Sequence, residues 1–365
     1  SGAQANDAHA TLLKSNLASL SFDVRTNFFR TITTFSGLTA PLFGHYFLIS
    51  KPRDKQTLQD LASTFYPKNG FGYAKSFAYN QAAPQGSLFK MVTAYEALNQ
   101  TYYNRLYRGL NTHNLNPLTI YDEANPNIIT GNGMVLGKTL DGGLITRHYK
   151  GGRLPRSHTS LGKVDFHTAL ERSSNLYFSL LASEVIAHPG DLLHTTEHFG
   201  FGKKTGIDLI GEAEGFVPDD IRDNLTGLYA FAIGQHSLEV TPLQSAVMLS
   251  TLANGGDVLL PQLIHMRSGF SGKPTDSIKM QEKNIDQNQQ VFTPQPIIKN
   301  IRHTIDLPLQ VRETLLEGMR RVVWEDSGAA NPFRIQGLYR HPKWMLDYKK
   351  LKNEFIGKTS TAEFM

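Results

Sequence analysis

Pro84-Gln-Gly-Ser-Leu-Phe-Lys-Met-Val-Thr-Ala-Tyr-Glu-Ala-Leu98 reads as a loop running into a helix. Pro84 and Gly86 interrupt any regular structure before it. Leu88, Met91, Val92 and Tyr95 fall at i, i+3, i+4 and i+7, with Leu98 one step further, the apolar stripe of a core-facing helix. Ser87 opens this helix, where backbone N–H groups and the positive end of the dipole face any negative charge that develops nearby. Lys90 lies one turn on, on the same face. A serine hydroxyl needs an adjacent base to act as a nucleophile. A lysine serves when burial or a neighbouring cation lowers its pKa. Ser-x-x-Lys is a short pattern, and Ser160-Leu-Gly-Lys163 repeats it. No helical stripe starts on Ser160, so context selects Ser87 and Lys90.

The 365 residues suffice for one large or two ordinary domains. Hydrophobic residues at 40% and charged residues at 19% are globular values. The net charge of +5 comes without a dense Lys/Arg block. It suits an anionic surface or substrate and does not argue for nucleic acid. The absence of cysteine excludes thiol catalysis, disulfides and cysteine-based zinc sites. The most apolar stretch, Phe28 to Ile49, is interrupted by Arg30 and His45 and is too polar to span a membrane. No signal peptide is present. The chain starts at Ser1 and stops at Met365 just after a strand-like segment, so a fragment truncated at both ends is expected.

Outward from the Ser87 helix, Leu17 to Val24 suggests a short strand and Asp54 to Phe65 a helix. Residues 111–163 read as long loops and short hairpins, with turns at Asp141-Gly-Gly143 and Lys150-Gly-Gly152. Val164 begins a long helical stretch with a polar break at Ser173-Ser-Asn175. A helix is expected over Asp191 to His198, and another over residues 241–253, capped by Thr241, with Pro242 in its first turn and stopped by Asn254-Gly-Gly256. Residues 270–300, polar and rich in Gln, Asn and Lys, read as a surface excursion or a linker. Asp306 and Pro308 open a capped helix through Trp324 with a Val311, Leu315, Met319, Val322 stripe. Residues 327–350 look like an insertion, and Glu354 to Phe364 reads as a final strand.

Three short elements stand in order: Ser87-x-x-Lys90, Ser173-x-Asn175 and Lys358-Thr-Ser360. With them come Phe199-Gly-Phe-Gly202, Thr205-Gly-Ile-Asp-Leu209, Gly211-Glu212, Ala232-Ile-Gly-Gln235, Val240-Thr-Pro-Leu-Gln244 and Ala253-Asn-Gly-Gly256. From about residue 17 to its end the chain resembles the transpeptidase domain of class B penicillin-binding proteins. The resemblance implies a mixed α and β fold of the β-lactamase/transpeptidase type, with a central antiparallel sheet, helices on both faces and an all-helical lobe. It implies a peptidoglycan D,D-transpeptidase acting on D-Ala-D-Ala stem peptides through an acyl-serine, and acylated by β-lactams. Ser87 would be the nucleophile and Lys90 its base. Ser173 would relay a proton to the leaving amine, and Asn175 would position Lys90 and the substrate amide. Lys358 would keep Lys90 deprotonated. Thr359 and Thr361 would hold the substrate carboxylate, beside Ser360. The backbone N–H groups of Ser87 and Thr361 would form the oxyanion hole, one such donor contributing about 3 kcal/mol. No cofactor or metal is implied. The expected partners are stem peptides, β-lactams and other wall-synthesis proteins. The expected location is the periplasmic face of the inner membrane, anchored by a segment outside this chain.

One departure stands out: the third element usually ends in glycine, and here Ser360 takes its place, where a side chain is expected to crowd the substrate. Lys204-Thr-Gly206 is a literal copy of the usual form, too close after Ser173 and read as a turn. His194-Thr-Thr-Glu-His198 matches an inverted zinc-protease pattern. Gly137-Lys-Thr139 and Gly357-Lys-Thr359 lack the earlier glycine of a phosphate loop. Two rival functions share the pattern: a serine β-lactamase or β-lactam sensor, and a non-catalytic structural member of a wall-synthesis complex.

Overall fold

A computed structural model describes residues 76–263 with breaks at 124, 131–132, 148–155, 158 and 210, then 266–267, 295–296, 300–331 and 353–361, and isolated positions elsewhere. The chain divides into two compact units, Ser1–Gln81 and Ala82–Met365. In the first, Ser76 caps a short helix, Phe77–Asn80. The segments read above as a strand at Leu17–Val24 and a helix at Asp54–Phe65 lie outside the described residues, apart from isolated positions, as do the Lys150 turn and most of 270–300 and 327–350.

The second unit mixes helices with antiparallel sheet. Its strands are β1 (Ala83–Pro84), β2 (Ile120–Asp122), β3 (Asn125–Thr130), β4 (Gly133–Thr139), β5 (Leu144–Arg147), β6 (Gly162–Val164), β7 (Glu239–Val240), β8 (Asp257–Leu259), β9 (Met266–Arg267), β10 (Gln295–Pro296) and β11 (Ile301–Thr304). Its helices are α1 (Lys90–Tyr107), α2 (Phe166–Glu171), α3 (Asn175–Leu180), α4 (Pro189–His198), α5 (Leu225–Phe231), α6 (Pro242–Asn254) and α7 (Leu309–Trp324). The region read as loops and hairpins forms a five-stranded sheet in the order β3-β4-β2-β6, with β5 on the other edge of β4. The expected turn at Asp141-Gly-Gly143 closes the β4–β5 hairpin, with Thr139 N–H donating to Gly143 O over 2.8 Å.

The opening half of α1 is enclosed all round rather than along one stripe: every residue from Lys90 to Leu98 is buried. Small residues explain this. Ala94, Ala97 and Thr93 let α3, α4 and α7 approach the faces that the large side chains leave open. Phe89, just before α1, packs on Phe231 and Phe201, with centroids 4.7 and 6.2 Å away. Each such ring contributes about 1.5–3 kcal/mol by leaving water. The helix is therefore a fixed post from which the residues at its start are presented.

Several local readings need correction. Val164 ends β6 instead of starting a helix; Asp165 caps α2, its carboxylate accepting Thr168 N–H at 2.9 Å. α7 has no side-chain cap: its N-cap is Pro308, and the Asp306 carboxylate accepts the Tyr103 hydroxyl instead, while the Asp306 backbone carbonyl accepts that of Tyr95. Thr241 and Gln244 do form a reciprocal cap on α6, and Gly255 ends that helix with φ +93°. Over residues 353–361 the expected last strand carries no ladder, and 362–364 lie outside the described residues. Its backbone is held by other groups: Gly357 N–H donates to Met319 O at 3.3 Å, and Trp324 Nε1 donates to Phe355 O at 3.2 Å.

Candidate functional site: a buried lysine between two serines

Ser87 lies on a 3-10 turn, Gly86–Leu88, that runs into α1. The turn is pinned from behind. Gly86 N–H donates to Gly234 O at 2.8 Å, and both glycines hold positive φ, +64° and +76°. A Cβ on Gly234 would stand 1.9 Å from Gly86 O. Only glycine lets the two backbones touch in this way.

Lys90, the first residue of α1, is fully buried. Its Nζ donates to Ser173 O (2.8 Å), to Ser173 Oγ (3.1 Å) and to Asn175 Oδ1 (2.7 Å). The Phe178 ring lies 5.6 Å from it. Burial, then the neighbouring Lys358 ammonium, hold its pKa well below the ordinary lysine value, against an opposing pull from Asp122.

Ser173 sits in the break between α2 and α3 with φ +59°. Ser174 caps α3, accepting Tyr177 N–H at 3.1 Å, and Asn175 begins that helix. Asn175 is oriented at both ends of its amide, since Nδ2 donates to Arg156 O at 3.1 Å while Oδ1 faces Lys90. Lys358 Nζ donates to Ser173 Oγ at 2.9 Å and to Thr359 O at 2.8 Å. Burial of its ammonium lowers its pKa to about 7.

These contacts define a line of exchangeable protons. A neutral Lys90 has two N–H donors and one lone pair. Ser173 O and Asn175 Oδ1 can only accept, so they take the donors. The lone pair is left facing Ser173 Oγ, which can give a proton to Lys90 while accepting from Lys358. The structure therefore brings Lys90, Ser173, Asn175 and Lys358 together. The hydroxyl of Ser87 makes no hydrogen bond among the described residues, and Lys90 is turned toward Ser173. Thr359, Ser360 and Thr361 run alongside the Ser87 turn: Thr361 O accepts Gln235 Nε2 at 3.4 Å, and Ser360 Oγ contacts Gln85 and Leu88. Neither Ser87 N–H nor Thr361 N–H has a protein acceptor among the described residues.

Sequence reasoning missed the layer behind. Asp122, fully buried on β2, accepts Ser157 Oγ–H at 2.6 Å and Ser174 Oγ–H at 2.5 Å through one oxygen. Each hydroxyl has a single proton and gives it to the carboxylate, so its lone pairs face outward. Those lone pairs receive Asn175 N–H (3.1 Å) and Tyr177 N–H. Asp122 thereby orients the whole Ser173–Asn175 break, and burial raises its own pKa. A carboxylate in the Ile120-Tyr-Asp122 strand, at an inward position of the alternation, was the available signal.

The decoys separate cleanly. Ser160 bonds Asp122 O at 3.4 Å and Lys163 is exposed on β6, away from any lysine–serine line. Lys204–Gly206 is irregular backbone held by Glu212, whose carboxylate accepts both Thr205 N–H and Gly206 N–H. Gly137–Thr139 lies within β4. His194 and His198 stack at 4.0 Å on α4, but no three metal-binding side chains cluster among the described residues.

A family model of the penicillin binding protein transpeptidase domain matches residues 145–337, just over half of the chain. The chain is 30% identical over 151 residues to the peptidoglycan D,D-transpeptidase MrdA of Acinetobacter baumannii, covering 35% of this chain and 22% of that protein. It is 32% identical over 190 residues to penicillin-binding protein 2A of Bacillus subtilis, covering 48% and 24%. Among solved structures, Pseudomonas aeruginosa PBP2 in complex with WCK 5153 aligns over 79% of this chain and 53% of that one, with 20% identity and a TM-score of 0.45. The chain belongs to the penicillin-binding protein transpeptidase family, in its class B branch. Its matches span less than a quarter of the length of those two curated relatives. Ser173 and Asn175 fall inside the family match; Ser87, Lys90 and Lys358 to Thr361 fall outside it.

Proposed function

We propose that this chain carries the acylation centre of a peptidoglycan D,D-transpeptidase. The observation that supports it most is the buried Lys90, shared between Ser173 and Asn175, with Lys358 on the far side of Ser173. Ser87 Oγ attacks the carbonyl of the penultimate D-Ala of a stem peptide. Lys90 exchanges its Ser173 bond for the Ser87 hydroxyl and accepts its proton. The tetrahedral oxyanion is held by the N–H groups of Ser87 and Thr361. Collapse breaks the C–N bond, and Ser173 passes a proton to the departing D-Ala amine, resupplied along the Lys90–Ser173–Lys358 line. Thr359 and Thr361 receive the terminal carboxylate. An acceptor amine then takes the acyl group and frees Ser87. These roles use no cofactor or metal. A β-lactam enters by the same attack and leaves a covalent penicilloyl-serine.

The setting follows from the same reading: stem peptides as substrate, the periplasmic face of the inner membrane, and neighbouring wall-synthesis proteins as partners. Among the described residues no helix is long and apolar enough to cross a membrane. Intact-mass measurement after incubation with a penicillin, followed by peptide mapping, tests the central claim. One stable adduct on Ser87, absent from Ser87→Ala, is expected. Rapid nitrocefin turnover would instead make the protein a lactamase. Wild-type cell-wall function in cells carrying Ser87→Ala would make it a structural member.

A further inference from the structure

In a 3-10 turn, the carbonyl of one residue and the N–H three residues on normally bond each other. At the Ser87 turn that pair is Gln85 O and Leu88 N–H, and a hydroxyl from a distant segment joins them. Ser360 Oγ–H donates to Gln85 O at 2.6 Å, and Ser360 Oγ accepts Leu88 N–H at 3.2 Å. A hydroxyl holds both bonds at once, having one proton and two lone pairs.

The geometry points to Ser360 as a positioning residue whose hydroxyl sets the turn that presents Ser87. This rests on the acylation reading above. Local sequence supplies no substitute. Neither Gln85 nor Phe89, which flank the turn at the cap positions, makes a side-chain cap bond: Gln85 Nε2 donates to Ser245 Oγ at 3.0 Å, and its Oε1 takes no hydrogen bond from the turn. The fit is close: a Cβ on Gly86 would lie 2.8 Å from Ser360 Oγ and 2.5 Å from Thr361 O. The two oxyanion donors lie on separate pieces of chain, Ser87 N–H on the turn and Thr361 N–H on the Lys358–Thr361 segment. Ser360 is the side chain that ties one piece to the other, so it fixes the spacing between those donors. Its side chain is directed into the nucleophile turn, which also answers the expectation that it would crowd the substrate.

The test compares the parent chain with Ser360→Ala, Ser360→Gly and Ser360→Thr by two readouts. The first is the acylation rate constant with a fluorescent penicillin, separated from its binding constant. The second is amide exchange over residues 85–89, which needs no activity. Losing a neutral bridge lowers the rate constant about tenfold in the Ala and Gly variants, with binding unchanged. Exchange at Leu88 rises about tenfold in both. Ser360→Thr keeps the hydroxyl and stays near the parent in both readouts. Ala or Gly variants that acylate as fast as the parent or faster would overturn the proposal, as would unaltered exchange at Leu88. A parent chain that forms no Ser87 adduct, while Leu88 exchange still responds to the Ala variant, would overturn the acylation reading and keep the bridge.

Discussion

Gly234→Ala should disable the proposed Ser87 site although Gly234 belongs to none of the three short elements that define it. The added methyl would stand 1.9 Å from Gly86 O and 2.8 Å from Phe89 Cβ. Ordinary contact begins near 3.4 Å, so the Gly86 carbonyl must retreat by about 1.5 Å. Phe89 is locked in the core and cannot follow, so the movement falls on Gly86 and Ser87 between the two. Displacement of a reacting group by about 1 Å costs roughly 100-fold in rate. Alanine at φ +76° adds about 1–2 kcal/mol of backbone strain, and residual overpacking about 1–3 kcal/mol more. The assay is the acylation rate constant with a fluorescent penicillin, read beside thermal unfolding. A loss of about 100-fold is expected, with Tm lower by roughly 3–8 °C. An alanine variant that unfolds at the parental temperature and acylates within about threefold of the parent would show that the glycine contact does not hold the nucleophile turn.

Asp122→Ala removes the acceptor of two buried hydroxyls, Ser157 and Ser174, and should cost about 2–5 kcal/mol in urea unfolding. Asp122→Asn keeps the shape but loses the charge that holds the Lys90 pKa up. The acidic limb of acylation should therefore move to lower pH. Lys358→Met should move that limb the other way, since the Lys358 ammonium depresses Lys90. The Lys358 pKa falls to about 7 in the fold, so between pH 7 and its ordinary value of 10.5 the unfolded chain binds the extra proton. Its contribution to stability rises with pH across that window. Urea midpoints at pH 7 and pH 9 should differ more for the parent than for Lys358→Met.

Convergence of Lys90, Ser173, Asn175 and Lys358 was legible in sequence because each sits in a short pattern fixed by chemistry. The helix after Ser87 was legible because its stripe is regular. What lay behind them was not. Asp122 acts through two hydroxyls, Ser157 and Ser174, which come from different segments, and no spacing rule links them. The sheet at 120–164 reads in sequence only as long loops and short hairpins because its strands are short, rich in Asn, Gly and Thr, and paired with bulges. A final strand is the reading of Glu354 to Phe364. A strand also requires a neighbour, and here α7 and scattered side chains meet its backbone instead. Ser360 looked like an obstacle because sequence shows which side chain is present and not which way it turns.

Ser173 adopts a left-handed backbone that glycine or asparagine would occupy with less strain, at a cost of about 1–2 kcal/mol. Drift under selection for a sturdier fold alone would erode this serine, because either replacement relaxes the chain. On the proposed acylation reading, selection for turnover opposes that drift, since among the described residues the hydroxyl links the two lysines. Stability and reactivity thus pull against each other at one codon, and its identity records which pressure has prevailed in a given lineage.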